Sequence, residues 1–477
     1  MEADRRGREP LNPRPGPGPP APNHATQRCG GNMLRYGTQD VNDSGHLEIG
    51  GCDALDLAQR YGTPVYVIDE SAVRDRCRGY LEAFRSHWPS IDVAYASKAF
   101  LVGEMVRLAM AEGLSLDVVS AGELRLALWA GAEASRITFH GNYKTREDIE
   151  LAVRSRVRSL VVDCTDEIDT IDRQARHNGH VQAVDIRLNL GIDIHTDPKY
   201  TTGSPESKFG LSVRTGDAAA AVVRILRCDG LRLRGLHFHL GAQVVDTKYH
   251  RQALHDLGAF IRAVTVDLSW KPEAVTVGGG MGVNYDGVST PPTPAEWARD
   301  LVPVFAREVA PHCAPDVVFG IEPGRSVIAE GGTTLYTVGP TKTSGARRLV
   351  AVDGGLSDNP RPIMYQSVHR VVLASNPELA GVRLHESTVF GRHCETDKLI
   401  DDVLLPELPP GEVLAVQCTG AYTHSMFNQH NRFDKPPVVF VRDGRSRLVV
   451  RRERFADTIL TEIRDTEVNS SDRHGGK

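Results

Sequence analysis

A lysine stands at the end of a strand-like run in Ala94-Tyr95-Ala96-Ser97-Lys98-Ala99-Phe100. Desolvating an ammonium is costly unless something uses it. One use is chemical, because a lysine whose pKa falls on burial can form a Schiff base with an aldehyde, pyridoxal phosphate being the commonest. The structural alternative is a lysine that snorkels from the strand end. Three more stretches could do chemistry. Gly278-Gly279-Gly280-Met281-Gly282 closes an apolar run, and glycines let backbone amides approach an anion such as phosphate. Glu322-Pro323-Gly324-Arg325 offers a carboxylate that could pair with a protonated ring nitrogen, or with Arg325. Leu236-His237-Phe238-His239-Leu240-Gly241 puts two histidines on one face of a strand. That spacing suits a metal, but no third ligand is obvious nearby, so no metal is expected. His239 is read as a flat ring against a flat cofactor, and His237 as a satisfied core histidine.

These residues need elements that converge. From Ser71 onward, strand and helix patterns alternate strictly. Strands are expected to end near Lys98, Val119, His140, Asp163, Leu190, Leu240, Gly279 and Glu322. Helical runs such as Glu104–Glu112, Arg146–Val153, Ala218–Leu226 and Pro294–Val309 lie between them. Eight such units over about 250 residues are the size of a parallel (β/α)8 barrel, whose active site forms at the C-terminal strand ends. An open doubly wound sheet is the alternative. The expected ends gather Lys98, Asp117, His140 with Asn142, Arg187, His239, the three glycines, and Glu322 with Arg325, which favours the barrel and a functional Lys98.

After Arg325 the alternation stops. Thr334–Val338, Arg348–Val352, Glu412–Val416 and Val438–Arg442 are strand-like runs between Gly/Pro/Asp turns, so an all-β domain follows over 326–465. Residues 33–69 hold a helix at Ala54–Tyr61, stopped by Gly62, and a strand at Thr63–Ile68 that leads into the barrel (70–325) or joins the β domain. Residues 1–32 are a Pro/Gly-rich tail expected to be disordered, with Met33 a candidate start, and 466–477 are a second polar tail. The β domain carries Arg361 and Tyr365, a guanidinium and a phenol suited to a carboxylated substrate. It also carries Cys394 beside Glu395, a candidate proton donor and amine-binding pair, and the phenol Tyr422.

Composition bounds the rest. The 477 residues are 40% hydrophobic and 25% charged, with net charge -5. That balance fits a globular protein and argues against nucleic acid or an anionic membrane as the main partner. Eight cysteines with no CxxC pair indicate neither a disulfide framework nor a zinc site. The expected location is cytoplasmic.

From Met33 to about Glu462 the chain resembles the fold-type III, alanine-racemase-like pyridoxal phosphate decarboxylases, most closely their diaminopimelate decarboxylase branch. The resemblance implies that Lys98 carries pyridoxal 5'-phosphate as a Schiff base, His239 stacks on its ring and Glu322 binds its nitrogen. It implies that Gly280, Gly324, Arg325 and Tyr422 help hold phosphate or substrate, and that Arg325, Arg361 and Tyr365 contact the distal end of the substrate. Cys394 and Glu395 are implied to come from the partner subunit of a homodimer, Cys394 as the catalytic proton donor. The implied reaction takes meso-diaminopimelate to L-lysine and CO2. The alternatives are a related decarboxylase for another diamino or acidic amino acid, and an inactive regulatory homologue. Retention of Lys98, Glu322, Arg325, Cys394 and Glu395 together argues against the last. Departures from the pattern are Ala242 for a phosphate-binding serine, Phe238 for cysteine, Asn189-Leu190 for Asn-Pro or Thr-Pro, and Asp397-Lys398 for Gly-Asp.

Overall fold

The structure is a computed structural model that describes residues 33–194, 202–345 and 347–463. Both expected tails, 1–32 and 466–477, lie outside the described residues. Eight strands build the barrel: β1 (Ile91–Ala96), β2 (Ser115–Val118), β3 (Ile137–Phe139), β4 (Ser159–Val162), β5 (Gln182–Asn189), β6 (Leu231–His237), β7 (Ala274–Thr276) and β8 (Val318–Ile321). Each pairs in parallel with the next, and β8 returns to β1 through Phe319↔Ile91, Gly320↔Asp92 and Ile321↔Val93. The sheet is therefore closed. Strands such as Ser159-Leu160-Val161-Val162 are buried at every position, as parallel strands covered on both faces must be.

Local signals set the helices. Thr145 and Thr293 cap Arg146–Arg154 and Pro294–Val304 with reciprocal side-chain and backbone bonds, satisfying amides that the first turn leaves open. The single helix expected over Pro294–Val309 becomes an α-helix to Val304 followed by a π-turn over Phe305–Val309. Pro303 lacks the N–H that continues an α-helix, and its ring crowds the preceding turn. Strand β6 ends at His237, three residues before the expected Leu240. Phe238 and Leu240 stay buried, which extends the apolar pattern, but the Leu240 carbonyl accepts from Thr202 and Gly203 amides at 3.0 Å, outside the barrel ladder.

The second unit is a β-sheet in the order Lys398–Leu405, His385–Phe390, Arg347–Val352, Gly332–Ser344, Val65–Asp69, Val438–Arg442 and Arg445–Val450. Val413–Gln417 also pairs with Gly332–Ser344, and Val371–Leu373 pairs with Val413–Gln417. The early strand Val65–Asp69 is fully buried and sits between Gly332–Ser344 and Val438–Arg442. Asp69, its last residue, accepts the Ala72 amide at 3.0 Å and so caps Glu70–Arg85, the helix that leads to β1. One residue thus joins the sheet to the barrel. Among the described residues no helix is long and apolar enough to cross a membrane.

The loop after β3 holds a lysine with no accessible side-chain surface. Lys144 Nζ donates to both Glu167 oxygens at 3.0 Å and to the Gly141 carbonyl at 2.9 Å. Removing one partner of a buried pair leaves an uncompensated charge. Lys144→Ala should therefore cost about 3–5 kcal/mol in denaturant unfolding of the holoprotein. Lys144→Met with Glu167→Gln, which keeps an acceptor for the Asp163 amide, should recover most of that loss.

Candidate active site

The C-terminal strand ends enclose a cavity of about 410 Å³. Lys98 lines it, but not as a desolvated strand residue. Strand β1 stops at Ala96, and Lys98 stands exposed on the 3-10 turn Ser97–Ala99. What marks Lys98 is its position in the cavity wall. Tyr95 holds the turn through its hydroxyl, which donates to the Phe100 carbonyl at 2.7 Å.

The glycine run after β7 lines the same cavity. Gly280 has φ +97°, and a Cβ there would stand 2.1 Å from the Gly241 carbonyl oxygen. At Gly279 a Cβ would stand 2.0 Å from the Glu322 carbonyl oxygen. Only glycine lets the ends of β6, β7 and β8 meet backbone to backbone. Gly279, Gly280 and Gly324 line the cavity with main chain. His239 Nδ1 accepts the Gly279 amide at 3.2 Å, which leaves the ring proton on Nε2. Burial, with the nearby Lys98 charge, holds its pKa well below the ordinary histidine value, so the ring is neutral.

Glu322, just past β8, is 8% exposed and sits between two imidazoles. His237 Nε2 lies 2.9 Å from Oε2 and His140 Nε2 3.0 Å from Oε1. Burial alone would raise the carboxyl, but the two histidines outweigh it and hold it well below the usual range. His140 also lies 3.8 Å from Asp117. His237 is buried, as the core reading required, but only its Nε2 is bonded, and its partner is a site carboxylate. The third metal ligand that the sequence did not offer is present as well, since donor atoms of His140, His237 and Glu322 lie within 4.8 Å of one another. The 2.9 Å separation is that of a hydrogen bond from His237, and the 3.0 Å separation is an ion-pair contact of His140. Ligands on a shared tetrahedral zinc, at bonds of ~2.0–2.1 Å, would stand about 3.3 Å apart.

Arg325 and Arg361 converge on a residue the sequence reading passed over. Tyr285 accepts from Arg325 Nη1 at 2.8 Å, and the Arg361 guanidinium lies over its ring at 4.8 Å. Arg361 is buried, with Nε lacking a hydrogen-bond partner among the described residues, and lies 5.9 Å from the Tyr365 ring. Tyr422, with φ +58°, donates its amide to the Ala99 carbonyl at 2.8 Å, which ties it to the Lys98 turn. Its ring lies 4.7 Å from the Arg325 guanidinium. Lys98, His239, Gly280, Glu322, Gly324, Arg325 and Tyr422 thus share one cavity.

Cys394 and Glu395 do not line that cavity. Both are exposed, with the Cys394 amide donating to Asn431 at 2.9 Å and Glu395 3.7 Å from His430. The departures have local accounts. Phe238 points into the core near His250, away from the cavity. Asn189 caps its own turn by accepting the Gly191 amide at 2.9 Å. Buried Asp397, at φ +40°, bonds His393 Nδ1 at 2.6 Å and the Leu356 amide at 2.6 Å, so it clamps the loop that carries Cys394. Ala242 leaves only a methyl group on the cavity wall.

The cavity fits pyridoxal phosphate. Its volume suits a small cofactor, an amine stands on one side, glycine backbone offers a phosphate cradle, and a held carboxylate faces the same space. Comparison with known proteins points the same way. Residues 71–329 match the family described as pyridoxal-dependent decarboxylase, pyridoxal binding domain. Diaminopimelate decarboxylase of Bacillus subtilis (strain 168) is 40% identical over 435 residues, covering 90% of this chain and 98% of that protein. The chain belongs to the pyridoxal-dependent decarboxylase family. Diaminopimelate decarboxylase of Mycobacterium tuberculosis (strain ATCC 25618 / H37Rv) is 39% identical, over 89% of this chain and 96% of its own. Among solved structures, diaminopimelate decarboxylase from M. jannaschii in complex with L-lysine aligns with a TM-score of 0.83 at 30% identity, over 90% of this chain and 99% of that one. As a pyridoxal-dependent decarboxylase, the protein uses pyridoxal phosphate as its cofactor.

The close contact at Gly280 yields a direct check. Gly280→Ala adds strain at positive φ and pushes the Gly241 carbonyl aside, so the cradle should open while the barrel persists. The purified variant should retain less than about a tenth of the wild-type visible cofactor absorbance after dialysis, with unchanged far-ultraviolet circular dichroism.

Proposed function

We propose that this enzyme decarboxylates meso-diaminopimelate to L-lysine and CO2. The observation that carries the substrate is the pair of guanidiniums, Arg325 and Arg361, gathered on Tyr285 beside the cavity. Two cations at the far side of a decarboxylase site suit a substrate that keeps a second carboxylate after losing the first. The relatives named above share this activity by name over nearly their whole length.

When bound, pyridoxal phosphate supplies the sink for the electron pair left by the departing carboxylate. Lys98 would hold the cofactor through its amine, the Gly279–Gly280 and Gly324 backbone would hold its phosphate, His239 would lie against its ring with a neutral imidazole, and Glu322 would offer an anion to its ring nitrogen. Arg325, Arg361 and Tyr365 bind the distal carboxylate and so place the reacting end near Lys98. Tyr422, fixed to the Lys98 turn, closes the wall on that side.

The proton that replaces CO2 comes from Cys394, delivered by a second copy of the chain. Within one chain Cys394 and Glu395 stand exposed outside the cavity, on a loop held firmly by Asp397. The short helix Arg361–Tyr365 also exposes Ile363 and Met364, at 43% and 46%. Exposed apolar side chains next to a site residue suit a subunit contact. A two-fold dimer would give each site Cys394 and Glu395 of its partner, with Glu395 toward the distal amine.

The experiment is to supply cofactor-loaded protein with meso-diaminopimelate and measure lysine and CO2 by mass spectrometry. Both should form in equal amounts, and borohydride should fix the cofactor to Lys98 in wild type but not in Lys98→Ala. Absence of lysine, with turnover of another amino acid from a panel, would overturn the substrate. Lys98→Ala and Cys394→Ala should each be nearly inactive. Dissociated and reassociated in equal amounts, they should recover about a quarter of wild-type activity, because half the dimers are hybrids with one intact site. No recovery, with hybrids confirmed by mass, would reject the shared site.

A further inference from the structure

We infer that His140 and His237 are positioning residues that together hold Glu322 as an anion in a fixed plane, His140 acting as a cation and His237 as a neutral hydrogen-bond donor. Each imidazole takes one carboxylate oxygen, at 3.0 and 2.9 Å. His237 donates a hydrogen bond to one oxygen, and His140, whose Nε2 is not aligned for one, makes an ion-pair contact with the other, so the carboxylate is held at both oxygens. The imidazoles approach from different strand ends, His140 after β3 and His237 in β6, and meet edge-on with centroids 4.8 Å apart. Neither can swing without moving the other.

Their surroundings differ. Behind His140 stands Asp117, at 3.8 Å, so the ring lies between two carboxylates and favours its protonated form. Although burial opposes the charge, Asp117 and Glu322 outweigh it, and the His140 pKa is raised. His237 has no second acid. Its Nδ1 is buried without a hydrogen-bond partner among the described residues, which suits a ring protonated on Nε2 alone. Burial keeps it neutral despite Glu322, with His140 and Arg187 adding to the shift. The result is a carboxylate of low proton affinity, which leaves a shared proton on the ring nitrogen it faces.

This inference rests on Glu322 as the partner of the ring nitrogen. The test compares His237→Leu, His237→Gln, His140→Leu and His140→Gln holoenzymes by kcat, KM and the pH dependence of the bound cofactor's visible spectrum. Each leucine variant should lower kcat by about 10- to 100-fold, as loss of a hydrogen bond or an ion-pair contact to a buried charge does, with KM little changed. The spectral transition should move in both. His237→Gln restores a neutral donor and should return most of kcat. His140→Gln restores a donor without charge and should remain impaired. Leucine variants with wild-type spectra and kcat would overturn the inference. If they fail to fold, a wild-type-like His140→Gln would overturn it. Glu322→Gln separates the two readings: near-normal turnover there removes Glu322 as ring partner, whereas an impaired Glu322→Gln beside normal histidine variants removes only the role of the histidines.

Discussion

Burying one unpaired carboxylate would cost several kcal/mol, enough to threaten a fold whose net stability is of that order. The Glu322 carboxylate is buried at the end of β8, and the catalytic face is arranged around its compensation. His237 in β6 supplies a hydrogen bond and His140, just after β3, an ion-pair contact. Asp117 from β2 sits behind His140, and Arg187 from β5 completes the ring of charges that line the same cavity. Because five strands contribute, the balance exists only when the barrel is closed. The network therefore links catalytic competence to correct folding. It also explains why a cavity of this polarity can persist inside a barrel otherwise packed with aliphatic side chains.

The barrel and much of the site were legible in the sequence. Strand and helix periods survive in a parallel fold because each unit repeats the same buried geometry, and site residues fall at the ends of those periods. Lys98, His239, Gly280, Glu322 and Arg325 were singled out on that basis, and they line one cavity. Partnerships were not legible. His237 and Glu322 are 85 positions apart, and nothing in either neighbourhood announces the other. Tyr285 was passed over because one tyrosine in a loop has no periodic signal, although it touches two residues that were singled out. Lys98 was expected at the end of a strand, whereas a short turn just past the strand presents it to the cavity. The reach of β6 was overestimated because side-chain burial outlasts the ladder.

The departures from the family pattern show how function can be kept while local chemistry changes. Asn189 folds its turn by a side-chain bond. Asp397 accepts from three groups around the Cys394 loop and takes a backbone angle that a glycine would hold more easily. In both cases hydrogen bonds replace a conformational preference. Ala242 is different, because its methyl group offers no replacement for a hydroxyl.

The placement of Val65–Asp69 bears on how the chain can be made. This strand is synthesised before any part of the barrel, yet its neighbours, Gly332–Ser344 and Val438–Arg442, emerge more than 260 and 360 residues later. During translation it must wait unpaired while the barrel folds, an exposed apolar edge on a ribosome-bound intermediate. Contacts of such sequence separation are slow to form. Once made, they lock the sheet from both ends of the chain, so neither unit can be excised as a contiguous fragment without opening the other's core. Loss of this early strand would strip both ladders at once, whereas loss of Val438–Arg442 would strip only one of them, so the sheet depends most on the strand that is made long before its partners.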